Sequence, residues 1–467
     1  MKFRTPGLSY KDPGPYGQPD PRTGNRKIRC SVFMLLFFLS CFYSQIANGQ
    51  DAPIYRKLTL EDVYKLTILN SYQLKITEKN LLNAKQQVEI SKLERLPALS
   101  SDLSYGYLSN ADSWSPSFSD HRTSLIPHHF TAFSVQASQV VFKGGEIENT
   151  IKKSALLEQV ASLADEKNVE DVKLLVSAKY LDIYRLISQQ KIYENNILLT
   201  QKRLKNVLTM QKQGMVTQND VLRTDLTISD FQLALRRTRN DIVILNKQLN
   251  VVTGLPDSVL LVPDSLLLTK AHQEKRMADY LKLAENSNQD LKISAVNNRI
   301  AETNIKLLGS DRLPQVFLYA RSNIQRPFTS VVPAIDIYSN IWQAGIGLHY
   351  NISSTYQARK KIRSGEIELQ LARDRETLEQ QNLGVGINAA FIKYNEAKED
   401  LLTLTKDLRS AEENYRVVEK KYFNQLALLT DMIDATNTKI ESELKVTTAQ
   451  INVVYTYCQL LHITGTL

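Results

Sequence analysis

The sequence predicts a mainly helical chain, written twice over, in which each copy also contributes two membrane-crossing strands. Three observations predict it. Helix breakers are scarce, with 17 Gly and 14 Pro among 467 residues. The same order of motifs occurs twice, about 210 residues apart. Short period-two segments recur at corresponding positions in the two copies. Composition agrees, since 43% hydrophobic and 23% charged residues belong to a folded chain. A mean hydropathy of -0.28 excludes a polytopic helical membrane protein. It leaves open a β-barrel, whose hydrophobicity alternates.

The first element is a targeting segment. Arg26, Lys27 and Arg29 precede an apolar run from Val32 to Tyr43, and Ala47-Asn48-Gly49 offers small residues for cleavage. Residues 1–49 read as a secretory signal peptide, because the run is shorter than the roughly 20 residues that span a bilayer. Lipidation of Cys41 is the alternative. The segment holds seven Lys/Arg against two Asp, so it supplies five of the nine net positive charges. Without it the chain is only mildly basic, and no basic patch with interleaved aromatics supports a nucleic-acid role. Cys30 and Cys41 leave with the segment, so Cys458 remains alone and no internal disulfide can form. Its neighbours Val454, Leu460 and Leu461 mark it as a buried small hydrophobe.

Two structural repeats follow, residues 50–256 and 257–467. Asn70-Ser71-Tyr72-Gln73 opens a helical stretch ending at Arg95-Leu96-Pro97, and Asn286-Ser287-Asn288-Gln289 opens one ending at Arg312-Leu313-Pro314. Thr253-Gly254 and Thr464-Gly465 end the last helix of each repeat, and Asp220 matches Asp431 between them.

Within each repeat a strand pair leads to a long helical hairpin. The 68 residues between Gly145 and Gly214 contain no Gly or Pro; as helix they extend about 100 Å. In the second repeat the clean stretch runs from Ile387 to Thr464, with Gln425 in place of the turn glycine. On the returning helix Ile228, Phe231, Leu235, Thr238, Ile242, Leu245, Leu249 and Val252 alternate spacings of three and four, a coiled-coil seam. Val446, Ala449, Val453, Thr456, Leu460 and Ile463 are its counterpart. The outgoing helix bears two stripes, Val172, Val176, Tyr180, Ile183, Ile187 and Leu174, Ala178, Leu181, and so needs neighbours on two sides.

The strands come next. Leu99, Ser101, Leu103, Tyr105 and Tyr107 alternate with Ser100, Asp102, Ser104 and Gly106; Phe133, Val135 and Ala137 alternate with Ser134, Gln136 and Ser138. Val316, Leu318 and Ala320, then Ile346, Leu348, Tyr350 and Ile352, are the second pair. Each strand is about ten residues long, enough to cross a bilayer when tilted, and polar loops near 110–129 and 325–340 suit an aqueous exterior. Four strands in lipid would leave two edges unpaired, at several kcal/mol per group. Copies must therefore close the sheet, with eight strands in a dimer or twelve in a trimer. Six hairpins around an axis, continuous with a twelve-stranded barrel, favour the trimer and form an α-barrel.

Taken in order and twice over, these features resemble the TolC-like outer-membrane efflux proteins. The resemblance covers the whole mature chain, including Leu96-Pro97, Leu313-Pro314, Phe142-Lys143-Gly144-Gly145 and the Thr-Gly ends. It implies a homotrimer whose barrel lies in outer-membrane lipid and whose helical tunnel crosses the periplasm. It further implies partnership with a periplasmic adaptor and an inner-membrane pump, for which the protein is the exit duct.

The resemblance also implies site residues at the two helix turns. Gly214, Met215, Val216 and Thr217, with Leu426, Ala427 and Leu428, would form the adaptor-docking tip. Asp431 and Asp434 would line a pore constriction of six carboxylates, which attracts cations; as first-turn helix residues they could instead be merely solvated. Asp220 and Tyr422 would link the closed gate, although Thr217-Gln218-Asn219-Asp220 also reads as a helix cap. The six His are scattered without metal-ligand spacing, and no nucleophile and base pair is apparent, so neither an enzyme nor a cofactor is expected. The rival reading is a secreted coiled-coil scaffold or adhesin without a pore, which has no need of the repeated strand pairs.

Overall fold

A computed structural model describes residues 54–264, 275–331 and 334–467. The signal segment expected at 1–49, including Cys41, lies outside the described residues. The first part of the chain runs β1 (Ile54–Leu58), α1 (Leu60–Asn70), α2 (Tyr72–Lys92), β2 (Ala98–Tyr107), β3 (Ala111–Trp114), β4 (His121–Ser124), β5 (His129–Lys143), α3 (Glu146–Lys212) and α4 (Gln218–Thr253). The second runs β6 (Val259–Pro263), α5 (Met277–Ser287), α6 (Gln289–Ser310), β7 (Gln315–Arg326), β8 (Ser339–His349), α7 (Ser354–Phe423) and α8 (Leu429–Thr464). The fold is mainly helical.

The two stripes of α3 meet two different partners. Val172, Val176, Tyr180 and Ile183 are buried with Val63 of α1, Leu249 of α4 and Leu261 of β6. Leu181 is buried instead with Ile451, Val454 and Cys458 of α8, and Leu174 packs beside them. A corresponding cluster joins Tyr280 and Ala284 of α5 to Leu383, Ile387 and Tyr394 of α7 and Leu460 of α8. Burying one such large apolar side chain stabilises by about 1.5–3 kcal/mol. The helices are thus held as a wall rather than as separate hairpins.

Three details differ from the sequence expectation. The helical stretch placed from Asn70 is broken at Ser71, and the one placed from Asn286 is broken at Asn288, both with extended backbone at ψ 121° and 125°. The breaks let Asn70 donate to Thr253 O and Asn288 to Ile463 O, fastening each short helix to the end of its hairpin. Secondly, the breaker-free stretch from Ile387 is only part of the helix, for α7 begins at Ser354 and runs through Gly365, Gly384 and Gly386. A helical glycine costs about 1 kcal/mol against alanine, which the packing of a 70-residue helix absorbs. Thirdly, the loop after β2 holds the β3–β4 hairpin, pinned by Asp112, whose carboxylate accepts from Thr123 Oγ1 at 2.7 Å.

β2, β5, β7 and β8 form one antiparallel sheet in that order. Residues directly opposite share a face, and the register gathers most apolar residues on one face, with Asn340 and Ser322 among them and Ile341 on the other. Leu103, Phe133 and Ile324 lie across from one another on one face, as do Leu99, Ala137, Ala320 and Ala344. Asp102, Ser134 and Asn323, then Ser100, Gln136, Arg321 and Gln343, lie on the other. The apolar face is open: Leu99, Leu103, Trp342 and Ile346 are each about three-quarters exposed. Among the described residues β2 and β8 each keep one edge without a strand. Gly144 and Gly145, at φ of 60° and 83°, turn β5 into α3, a backbone that side chains rarely adopt.

A small parallel sheet of β1 and β6 lies beside α4. Its open edge on β6 is closed by side chains. Asn246 and Asn250 both donate to Val259 O, and Asn246 Oδ1 accepts from Leu261 N at 2.7 Å.

Candidate functional site

The two hairpin turns have the same construction from different residues. At the first, Gly214 is left-handed at φ 72°, its N–H donates to Gln211 O, and Met215 N–H reaches back to Met210 O at 2.9 Å. At the second, Gln425 is left-handed at φ 61°, donates to Tyr422 O, and Leu426 N–H reaches Lys421 O at 2.8 Å. These bonds satisfy carbonyls that a helix end leaves free. Side chains correspond too. Met215 and Leu426 are exposed, whereas Val216 and Ala427 pack on the buried cluster of Val207, Tyr422, Leu429 and Met432. Thr217 and Leu428 hold the N-cap positions, and Leu428 is exposed.

Asp220 and Asp431 sit at the third residue of α4 and α8. Asp220 Oδ2 accepts from both the backbone N–H and the hydroxyl of Thr217, at 2.8 Å each, and Asp220 N–H returns a bond to Thr217 Oγ1 at 3.3 Å. This is a full capping box. Asp431 makes only half of it, accepting from Leu428 N at 3.0 Å, because leucine has no oxygen to offer. Asp431 and Asp434 are exposed and a helical turn apart on α8.

Tyr422 is buried, 3% exposed, and among the described residues its hydroxyl has no hydrogen-bond partner. Burial pushes its phenol up, the Asp220 charge adds to this, and Arg203 opposes it. The Tyr422 phenol therefore lies within reach of the Asp220 charge without a hydrogen bond to it. The capping box uses Asp220 Oδ2 alone.

One functional candidate was missed in the sequence. Arg203 of α3 is 4% exposed and joins the two hairpins: it donates to Thr436 Oγ1 on α8 at 3.2 Å and to Tyr415 OH on α7 at 3.1 Å. Tyr415 OH in turn donates to Glu419 at 2.8 Å, so Arg203 reaches a carboxylate through one phenol. Burial and the Glu419 bond push the Tyr415 phenol up. Arg203 Nε and Thr200 Oγ1 are buried without partners among the described residues. Asn196, Thr200, Arg203 and Val207 are all buried at spacings of four, three and four. The polar residues Asn196, Thr200 and Arg203 on that heptad-like row were the available signal.

Among the described residues no cluster of His, Cys, Asp or Glu could hold a metal ion, and no helix is long and apolar enough to cross a membrane. Residues 280–466 match the family model described as outer membrane efflux protein. Over those residues the chain is similar to the outer membrane efflux proteins. That family consists of channel proteins, not enzymes. The fold of the chain is similar to that of solved channels at low identity. The outer-membrane channel OprN superposes with a TM-score of 0.71 at 13% identity, covering 87% of this chain and 90% of that one. VceC of Vibrio cholerae gives 0.70 at 12%, covering 87% and 96%. The open-state MtrE channel of Neisseria gonorrhoeae gives 0.67 at 13%, covering 87% and 89%. No curated protein matches the chain.

Proposed function

We propose that this chain is the outer-membrane exit duct of a tripartite efflux or secretion system, passively conducting solutes from an inner-membrane pump and its periplasmic adaptor to the exterior. One observation carries the reading: a four-stranded sheet with an exposed apolar face and two open edges continues directly into two hairpins of very long helices. Such a sheet is tolerable in lipid only when closed, and three copies close it at twelve strands above a tunnel of six hairpins. The exposed apolar face argues against a secreted scaffold, which would have to hold it in water.

In this reading residues 1–49 direct export, and residues 50–256 and 257–467 are two repeats of one unit. Asp431 and Asp434, repeated threefold, form the cation-attracting constriction. The exposed Met215, Leu426 and Leu428, with Gly214, Val216, Thr217 and Ala427, form the surface that receives the adaptor. Asp220 caps α4 with Oδ2 and keeps Oδ1 for a link to Tyr422 that closes the gate.

The test is single-channel recording of the purified mature protein in a planar bilayer, with its mass determined beforehand. A trimer with a small, cation-selective conductance supports the duct. A monomer or dimer that does not conduct, and that carbonate strips from membranes, overturns it in favour of the scaffold.

A further inference from the structure

Where the sheet joins the helices, its polar face is uneven. Phe317 and Tyr319 stand there with ring centroids 6.1 Å apart. Their neighbours across β5 are Val140 and Ser138, and across β8 they are Gly347 and Gly345. Both rings lean over the glycines. A Cβ at Gly347 would lie 2.3 Å from a ring carbon of Phe317, and one at Gly345 would lie 3.0 Å from the Tyr319 hydroxyl. Neither glycine has a positive φ, so backbone conformation does not require them. What they supply is space for two rings to lie along the wall.

We propose that Gly345 and Gly347 set the width of the duct at the junction of tunnel and barrel, by letting Tyr319 and Phe317 lie flat instead of projecting into the bore. The inference rests on the duct reading, in which this polar face lines the lumen and six rings encircle it in a trimer. Any side chain at position 347 overlaps the Phe317 ring, and the open direction for the displaced ring is toward the lumen. The two glycines thereby decide how bulky a cargo passes. A merely structural role, with rings covering glycines to stabilise a strand, would leave passage unaffected.

The experiment places a reactive thiol on the far side of the rings. Gln315 begins β7 on the same face as Phe317, two residues further from the exterior loops. Native Cys458 is buried, so it contributes little background. Intact cells expressing Gln315→Cys are treated with a small biotin maleimide or a bulky polyethylene-glycol maleimide. Both should react. Adding Gly347→Val should slow the bulky reagent by about tenfold, as for a narrowed pore, and leave the small one unchanged; adding Phe317→Ala as well should restore the rate. An unchanged bulky-reagent rate in Gly347→Val, or a slow rate that persists after Phe317→Ala, overturns the inference. If Gly347→Val does not assemble, Gly345→Ala with Tyr319→Ala provides the same comparison. If even the small reagent cannot reach Gln315→Cys in the otherwise unaltered chain, the duct reading falls and the inference with it.

Discussion

Gln425 holds in the second hairpin turn the left-handed backbone that Gly214 holds in the first, at φ 61° against 72°. A residue with a Cβ pays for this conformation with roughly 1–2 kcal/mol. The surrounding turn imposes it regardless, through the Gln425 N–H bond to Tyr422 O and the Leu426 N–H bond to Lys421 O. One of the two turns is therefore strained, at the end of the hairpin proposed to open.

The strain gives a first prediction. Gln425→Gly should raise thermal stability by about 0.5–1 kcal/mol, the relieved conformational cost less the extra freedom glycine has when unfolded. Gly214→Ala should lower it by about 1 kcal/mol for the opposite reason. Calorimetric melting of the detergent-purified protein reads both. A less stable Gln425→Gly would mean that the glutamine side chain itself holds the turn.

Arg203 supplies the second. It is the buried tie between α3 and the α7–α8 hairpin, and hydrogen bonds to a charged group contribute about 1.5–3 kcal/mol. Arg203→Ala should therefore destabilise by about 2 kcal/mol and raise the conductance of the isolated duct by loosening one hairpin from the other. Tyr415→Phe should cost less, and the two changes should be strongly non-additive, because Tyr415 is Arg203's route to Glu419. Additive effects in a double-mutant cycle would separate the residues and remove the tie.

Much of this was readable in the chain. The breaker-free run to Gly214, the 4-3 seam through Ile228 and Leu249, and the alternation at Leu99 to Tyr107 are local patterns, and local patterns fix element type. The paired stripes on α3 even revealed that it has two neighbours. What was not legible depends on partners distant in sequence. Asn246 and Asn250 look like ordinary polar residues of a helix until β6 needs its edge bonded, and Arg203 looks solvated until α7 and α8 cover it. The β3–β4 hairpin escaped because Asp112, Ser113, Arg122 and Thr123 show no hydrophobic alternation. The helix breaks at Ser71 and Asn288 lack Gly or Pro and follow from tertiary fastening to the hairpin ends.

A third prediction concerns the acidic pair on α8. Asp431 and Asp434 are both exposed, so their removal should cost little stability apart from the half-cap that Asp431 gives Leu428. In the proposed duct, replacing both by Ala should abolish cation selectivity and block by multivalent cations while leaving the proposed trimer intact. Bilayer recordings with and without a trivalent cation would show it. Selectivity unchanged in the double variant would reduce the two acids to a solvated first turn.

The last prediction is a pH dependence at the opposite end of the hairpins. Glu170 of α3 accepts from Leu467 N at 3.1 Å, Lys173 donates to Leu467 O at 2.6 Å, and His462 meets Asp171 at 2.7 Å, so four ionisable groups tie α3 to the end of α8. Burial holds the Glu170 carboxyl above its ordinary 4.5, with Lys173 and His462 opposing. An acid whose pKa is raised on folding binds its proton more tightly in the folded state. Between the unfolded and folded values the unfolded chain therefore carries fewer protons, and stability falls as pH rises through that window. The contribution is fully present below about pH 4.5 and is lost above the folded pKa. Glu170→Gln should flatten this part of a melting-temperature profile and leave the variant the more stable of the two at neutral pH. If the unaltered protein instead gains stability over Glu170→Gln as pH rises through the window, the positive charges of Lys173 and His462 outweigh burial, and the tie acts as an ion pair.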